Sequence, residues 1–258
     1  MTTKEKIIEA LEAAKGNYIS GEELAKICGV SRNAIWKNIT ELKKKGYIIQ
    51  SVNNRGYMLE VENDIISKAG ILLYLQKDYP NVLNSLSVVM EKNIYVYDEI
   101  DSTNMETKRF ILTNSAKIEH GTLIVANSQS FGQGHGGTEF VSPKGGIYFS
   151  LLLDPSRMNI SAKKNTKMIS NIVSKVLENT YQVAVNRAKD SSLYVEGEKV
   201  CGILTEGISD LETGVYTSYI VGVGIRAEKL KAISEIEIEK NKIIAKIIGT
   251  ILENVNLE

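Results

Sequence analysis

In the first sixty positions the apolar residues recur at helical spacing in three short runs. Ile7, Ile8, Leu11 and Ala14 form the first, opened by Thr2 and Glu5 as a capping box and closed by Gly16 as a C-terminal cap. Leu24, Ala25 and Ile27 form the second, after Ser20 and two glutamates, and Gly29 ends it. Ser31 caps the third, whose apolar face is Ala34, Ile35, Ile39 and Leu42. The period then changes to two. Residues 47–52 alternate as a strand, Asn53-Asn-Arg-Gly56 makes a turn, and 57–59 return. Helix, helix, glycine turn, helix and hairpin, in that order, predict a winged helix-turn-helix. The competing expectation is a small helical bundle whose charged face is merely solvated.

The outer face of the third helix carries Ser31 at its start, then Arg32, Asn33, Trp36, Lys37, Thr40 and Lys44. Arg and Asn suit base edges, and Lys and Thr suit phosphate oxygens. Arg55 stands at the hairpin tip, placed for a minor groove or the backbone of double-stranded DNA. Trp36, the only tryptophan, reads equally as a groove residue or as packing at the helix–wing junction.

Beyond residue 60 the pattern predicts a helix over 64–82, with Ile65, Ile66, Ala69, Leu72 and Leu73 inward, ending near Pro80. Composition turns polar over 81–87, where a domain boundary is placed. The expected division is a DNA-binding domain at 1–62, a linker helix at 63–85 and a larger domain at 86–258. Short apolar strands are expected at 94–97, 122–126, 147–153, 193–195, 203–205 and 219–223, and helices at 103–112, 163–178 and 243–257. Strands outnumber helices and several neighbours could pair as hairpins, so the class is α+β with a mixed or antiparallel sheet.

Charge adds little to this. The 258 residues carry no formal net charge, yet residues 1–60 hold ten Lys or Arg against seven Glu, a weak bias toward nucleic acid at the front. Cys28 and Cys201 lie far apart in apolar settings and read as buried thiols in a reducing compartment. No signal peptide or membrane-length apolar run is visible, so the expectation is a soluble, cytoplasmic protein with no membrane partner.

Residues 132–138 read Gly-Gln-Gly-His-Gly-Gly-Thr. Such a run lets backbone N–H groups approach a ligand closely, yet it carries no cation, and adenylyl or phosphoryl transfer needs cations where charge builds up. Ser102-Thr-Asn104 ends a strand and opens a helix, where it serves either as a cap or, with Gln129, as polar ligand contacts. His135 and Glu139 lack the further ligands a metal site would need.

These segments, with Ile19-Ser-Gly-Glu-Glu-Leu-Ala, Gly29-Val-Ser-Arg-Asn-Ala-Ile-Trp-Lys, Glu99-Ile-Asp-Ser-Thr-Asn104, His120-Gly-Thr, Ser142-Pro-Lys-Gly-Gly-Ile-Tyr148, Lys199-Val-Cys-Gly-Ile-Leu-Thr-Glu206 and Val221-Gly-Val-Gly-Ile225, resemble the biotin protein ligase family over roughly residues 1–228. The likeness is to its bifunctional repressors with an N-terminal winged helix. Family members join biotin to ATP and pass it to a lysine of a carrier domain, and in the repressors the adenylate promotes dimerisation and operator binding. The resemblance implies that Ser102, Thr103, Asn104 and Gln129 line a biotin pocket, with Gly132, Gly134, Gly202 and Leu204 as its backbone framework.

The resemblance fails at the catalytic positions. The family's loop reads Gly-Arg-Gly-Arg-Arg-Gly-Arg, and Gln133, His135, Gly136 and Thr138 stand where its four arginines would be. The family's Lys-Trp-Pro-Asn-Asp segment aligns with Ala188-Lys-Asp-Ser-Ser192, so Lys189 substitutes for its lysine only by slipping one position. Arg226 replaces the usual Asn, and some thirty residues follow it, too few for the family's small C-terminal barrel.

The leading expectation is therefore a homodimeric transcriptional repressor that senses biotin or a related small molecule in a degenerate ligase site. The alternative is a working biotin ligase and repressor, using ATP and Mg²⁺ and acting on a biotin carrier protein, with Lys189, Lys199 and Arg226 supplying the missing charge. A third is an interaction protein whose ligase-like domain binds nothing.

Overall fold

The computed structural model describes residues 1–84, 92–113, 119–158 and 162–255. Residues 85–87 of the expected boundary and 256–257 of the expected terminal helix lie outside them.

The N-terminal region folds as expected. Helix α1 (Thr3–Ala13) starts at the Thr2/Glu5 capping box, α2 (Gly21–Cys28) at Ser20, and α3 (Arg32–Lys44) at Ser31, whose hydroxyl accepts from the Ala34 N–H. Gly29 caps α2 in the left-handed region, where a residue without Cβ is unstrained. Gly16 does not cap α1; Ala14 does, and Gly16 instead donates to the Leu59 carbonyl, tying α1 to the wing. Strands β1 (Ile49–Val52) and β2 (Gly56–Leu59) form that wing as an antiparallel pair. Ile7, Leu11, Leu24, Ile35, Ile39, Leu42 and Leu59 close a core of their own.

The remaining strands form one mixed sheet of seven: β3 (Ile94–Tyr97), β4 (Leu123–Ala126), β5 (Ile147–Leu153), β6 (Asn186–Arg187), β7 (Leu193–Val195), β8 (Glu198–Ser209) and β9 (Tyr216–Ile225), in the order β3-β4-β5-β9-β8-β7-β6. Among the described strands only β3 and β4 run parallel. A parallel pair needs a crossover, and the segment between them carries α5 (Thr103–Thr113). Every residue of central β5 is buried, which explains its near-continuous apolar run. Helices α6 (Ala162–Tyr181) and α8 (Lys240–Val255) contribute Ile169, Val173, Leu177, Ile244, Ile248 and Ile251 to the core of this domain, while α5 lies against β4, β5 and β9. Among the described elements, the two-residue edge strand β6, helix α7 (Ala227–Ser234) and the short 3-10 helices His135–Gly137 and Pro155–Arg157 were not expected from the sequence pattern.

Helix α4 (Lys68–Asp78), shorter than the helix expected over 64–82, packs on both α1 and α8. A polar seam joins the two cores there. Asn241 Oδ1 accepts from the Ser67 N–H (2.9 Å), and Asn241 Nδ2 donates to the Ile65 carbonyl (3.1 Å) and to Glu12 Oε1 (3.4 Å). Glu12 is only 4 % exposed. Lys15 stands 3.7 Å from it and donates to the Asn63 carbonyl, and Lys240 pairs with Asp64 at 2.7 Å.

Candidate ligand cavity and nucleic-acid interface

The outer face of α3 is open. Arg32, Asn33, Lys37 and Lys44 are exposed, and so is Trp36, at 57 %, on the side of the helix that faces the wing. Thr40 is half-buried, its hydroxyl donating to the Trp36 carbonyl. The Ser31 hydroxyl caps α3. Arg32, Trp36, Thr40 and Lys43 face Ser51 and Asn53 to Arg55 across a groove of about 530 Å³. Lys43 was missed from sequence; its ammonium donates to Ser51 Oγ at 2.8 Å and braces wing to helix. Arg55 is exposed but folds back, its guanidinium 4.3 Å above the Tyr18 ring, so reaching a minor groove requires giving up that cation–π contact.

A cavity of about 50 Å³ opens over the α5 side of the sheet. Ser102, Thr103, Asn104, Gln129, Gly134, Gly202 and Leu204 all line it, as do Gln133, His135 and Thr138 of the glycine loop. Its floor is a closed hydrogen-bond network. Gln129 Oε1 accepts from the Thr103 N–H (2.8 Å) and hydroxyl (3.2 Å), and Gln129 Nε2 donates to Ser142 Oγ (2.8 Å). Ser150 Oγ lies within hydrogen-bond reach of Thr103 Oγ1 (2.8 Å) and Asn104 Oδ1 (2.5 Å). Asn104 Nδ2 and Lys108 Nζ each donate to Glu206, both at 2.8 Å. Ser102, 3 % exposed, has no hydrogen-bond partner for its hydroxyl among the described residues, so that hydroxyl is not spent on capping. Instead the Asp101 carboxylate accepts from the Ser102 N–H, and two bonds from Arg109 hold it below the usual carboxylate range.

Two expected residues lie elsewhere. Gly132 does not line the cavity: it sits behind it, where a Cβ would strike the Phe140 carbonyl and Ser142 Oγ, so its role is to let the loop close on itself. Lys189 also points away, lying with Thr166, Lys167, Ser170 and Arg187 on another face. Its neighbour Asp190 takes the cavity position; although burial pushes that carboxyl up, hydrogen bonds from Ser192 and the nearby Lys199 bring it below its usual value. His120 is a buried structural residue whose Nδ1 accepts from the Asp154 N–H.

Sequence reasoning overlooked Phe140, Ser150 and Glu206. Ser150 did leave a signal, being the one polar residue inside the run Ile-Tyr-Phe-Ser-Leu-Leu-Leu. Phe140 is 7 % exposed and reaches over the sheet beside Lys199 and Arg226, each 5.7 Å from its ring centre. Its ring meets Tyr148 edge-on at 6.4 Å, and burial pushes the Tyr148 hydroxyl up to about 12 despite Arg226 nearby.

The family model described as Biotin/lipoate A/B protein ligase family matches residues 97–225, half of the chain. The chain belongs to that family. A helix-turn-helix domain model matches residues 3–58. The bifunctional ligase/repressor BirA of Bacillus subtilis (strain 168) is 28 % identical over 229 residues, covering 88 % of this chain and 66 % of its own length. The protein of that name from Escherichia coli (strain K12) is 27 % identical over 213 residues, covering 82 % and 60 %. The chain thus spans about two thirds or less of the length of these relatives. Among solved structures, the Aquifex aeolicus biotin protein ligase in complex with biotin and ATP superimposes with a TM-score of 0.52 at 27 % identity, covering 63 % of this chain and 70 % of that one.

Proposed function

We propose that the protein is a ligand-responsive transcriptional repressor. Its helix-turn-helix region binds operator DNA through Arg32, Asn33, Trp36, Lys37, Thr40, Lys43, Lys44 and Arg55. Its ligase-like domain binds biotin or a close relative over Ser102, Thr103, Asn104 and Gln129 without efficiently adenylating it. One observation carries the second half: the loop side chains at the cavity are Gln133, His135 and Thr138, and Lys189 lies on another face. Joining a carboxylate to ATP brings anions together, and losing one transition-state electrostatic contact commonly costs about 10²–10³-fold in rate. Histidine does not replace a guanidinium fork, since it offers fewer donors and carries less charge at neutral pH.

A bound ligand orders the loop and shifts a dimerisation equilibrium, which demands that it bind one state more tightly than the other. A symmetric homodimer then reads a two-fold related operator. A cytoplasmic location is part of this proposal; among the described residues no helix is long and apolar enough to cross a membrane.

A second reading, an active biotin ligase using ATP and Mg²⁺ on a carrier protein, is favoured by one feature: Lys199 lines the cavity, with Arg226 beside the same ring. Calorimetric titration with biotin, with and without MgATP, separates the two. Biotin binding indifferent to ATP supports the sensor, whereas ATP-dependent tightening with pyrophosphate release supports the ligase. No biotin binding under either condition removes both.

A further inference from the structure

The Phe140 ring occupies ground that the fold has cleared for something else. Gly202 and Gly224 face each other across β8 and β9 as cross-strand partners. A Cβ on Gly202 would come within 2.8 Å of the Phe140 ring, and one on Gly224 would overlap it. Two opposed glycines make a flat trough, one ring wide, in the sheet surface that also lines the cavity. With Phe140 in it, the space left is about 50 Å³, room for a few water molecules at about 10–15 Å³ each. No ligand of metabolite size fits beside the ring.

Besides its burial and the edge contact with Tyr148, the ring is flanked by two cations. Lys199 and Arg226 are half-buried cations, each 5.7 Å from the ring centre, and neither makes an ion pair within 4 Å among the described residues. A cation over an aromatic face is worth about 0.5–2 kcal/mol, and a carboxylate would satisfy both cations better. Phe140 also ends the segment from Gly132, in which Gly136 and Gly137 hold left-handed φ of 67° and 78° and have open space around them. Those glycines form the tip of a hairpin, and at its base the Phe140 N–H donates to the Gly132 carbonyl (2.8 Å), so moving the ring takes a turn of its own side chain or the opening of that bond.

We propose that Phe140 is a gate. Its ring fills the trough that the stem of the ligand needs, and ligand binding expels it. Lys199 and Arg226, which hold the ring in the empty site, then take a carboxylate at the ligand's outer end. The inner end meets the free Ser102 hydroxyl beside Asn104 and Gln129, a neutral hydrogen-bonding set. A ligand of the class already proposed for this site, with a carboxylate at one end and an uncharged polar head at the other, would meet both sets. The proposal rests on the reading that this cavity is the ligand site, and it adds the gate and the anion-holding pair.

The test uses the full-length protein and two probe pairs, benzoate with benzamide and biotin with its carboxamide. Phe140→Ala vacates a ring-sized slot between two cations. Benzoate is expected to bind this variant at least tenfold more tightly than the unaltered protein, and at least tenfold more tightly than benzamide does. Adding Lys199→Met and Arg226→Met is expected to remove the preference for benzoate. Biotin is expected to bind Phe140→Ala at least tenfold more tightly than the unaltered protein, with the carboxamide weaker on both. Phe140→Leu, which keeps more of the core contact, should shift each ratio the same way by less, so a poorly folding Ala variant does not remove the test. Benzoate binding that ignores residue 140, or biotin binding that weakens when the ring is cut back, overturns the gate. If the benzoate pattern holds while biotin binds neither protein, the gate stands and biotin falls as the ligand.

Discussion

Replacing Asn241 by Ala strikes a side chain at the centre of the polar seam between the two cores. The substitution deletes one acceptor and one donor. It strands the Ser67 N–H, which lies in a residue only 8 % exposed, while the half-exposed Ile65 offers its carbonyl to water. A buried backbone donor left without a partner costs about 1–3 kcal/mol. The 3.4 Å contact to Glu12 is long and adds little. For a chain of this size each kcal/mol moves the melting midpoint by about 2–4 °C, so scanning calorimetry should find a fall of about 2–12 °C. Amide exchange at Ser67 should accelerate at the same time. Asn241→Asp keeps the acceptor but sets a carboxylate against Glu12 and the Ile65 carbonyl, and should be worse than Ala at pH 7 and milder near pH 4. An Asn241→Ala midpoint within about 1 °C of the unaltered protein, with Ser67 still protected, would refute the reasoning that this seam ties the winged helix to α8.

Glu12 gives a pH signature in the same place. Burial raises its pKa above the ordinary 4.5, against the lowering effect of Lys15 and Asn241, so the folded state holds the proton more tightly than the unfolded state does. The resulting stabilisation is complete below about pH 4.5 and is lost as pH rises through the folded value. Glu12→Gln should accordingly gain on the unaltered protein as urea titrations move from pH 4 to pH 7, and a difference that is flat with pH would count against it. Ser150→Ala strands Asn104 Oδ1 inside the network, costing about 1–3 kcal/mol, and should weaken biotin binding in calorimetry; unchanged stability and affinity would show the network is slack. Arg32→Ala, Asn33→Ala and Lys37→Ala together should abolish operator preference in a gel-shift titration, and Lys44→Ala alone should lower the salt slope of binding by about 0.9. Equal operator affinity in the triple variant would remove α3 as the reading helix.

Much of this was legible because local signals and tertiary outcome agreed. Thr2, Ser20, Ser31 and Gly29 mark helix ends by side-chain chemistry that acts within a turn, and the structure uses each of them that way. Strands β3, β5 and β7 were found to the residue because their apolar runs coincide with the buried core. The long β8–β9 hairpin was seen only in its middle: its distal end leaves the core, so Gly207 to Ser209 and Tyr216 to Ser218 carry no continuous burial pattern. Helix α7 is eight residues long with only Ala227 and Leu230 fully buried and Ile233 partly so, too few to set a period.

At the cavity, residue type and position were readable but spatial assignment was not. Ser102 to Asn104 and Gln129 are brought together by a parallel crossover that no local pattern announces. Lys189 is one residue from Asp190, yet Asp190 faces the cavity and Lys189 does not, a distinction decided by the Ala188–Ser192 turn. Phe140 read as an ordinary apolar residue. Its meaning depends on two glycines more than sixty positions away that leave room for it.

The measurement that bears most directly on the account is transfer of labelled biotin onto a biotin carrier domain, with MgATP present and a proven ligase in parallel. No transfer above background, with biotin still binding in calorimetry, is the predicted result. Transfer at a rate comparable to the proven ligase would contradict the central claim and would make Lys199 and Arg226 the first residues to replace.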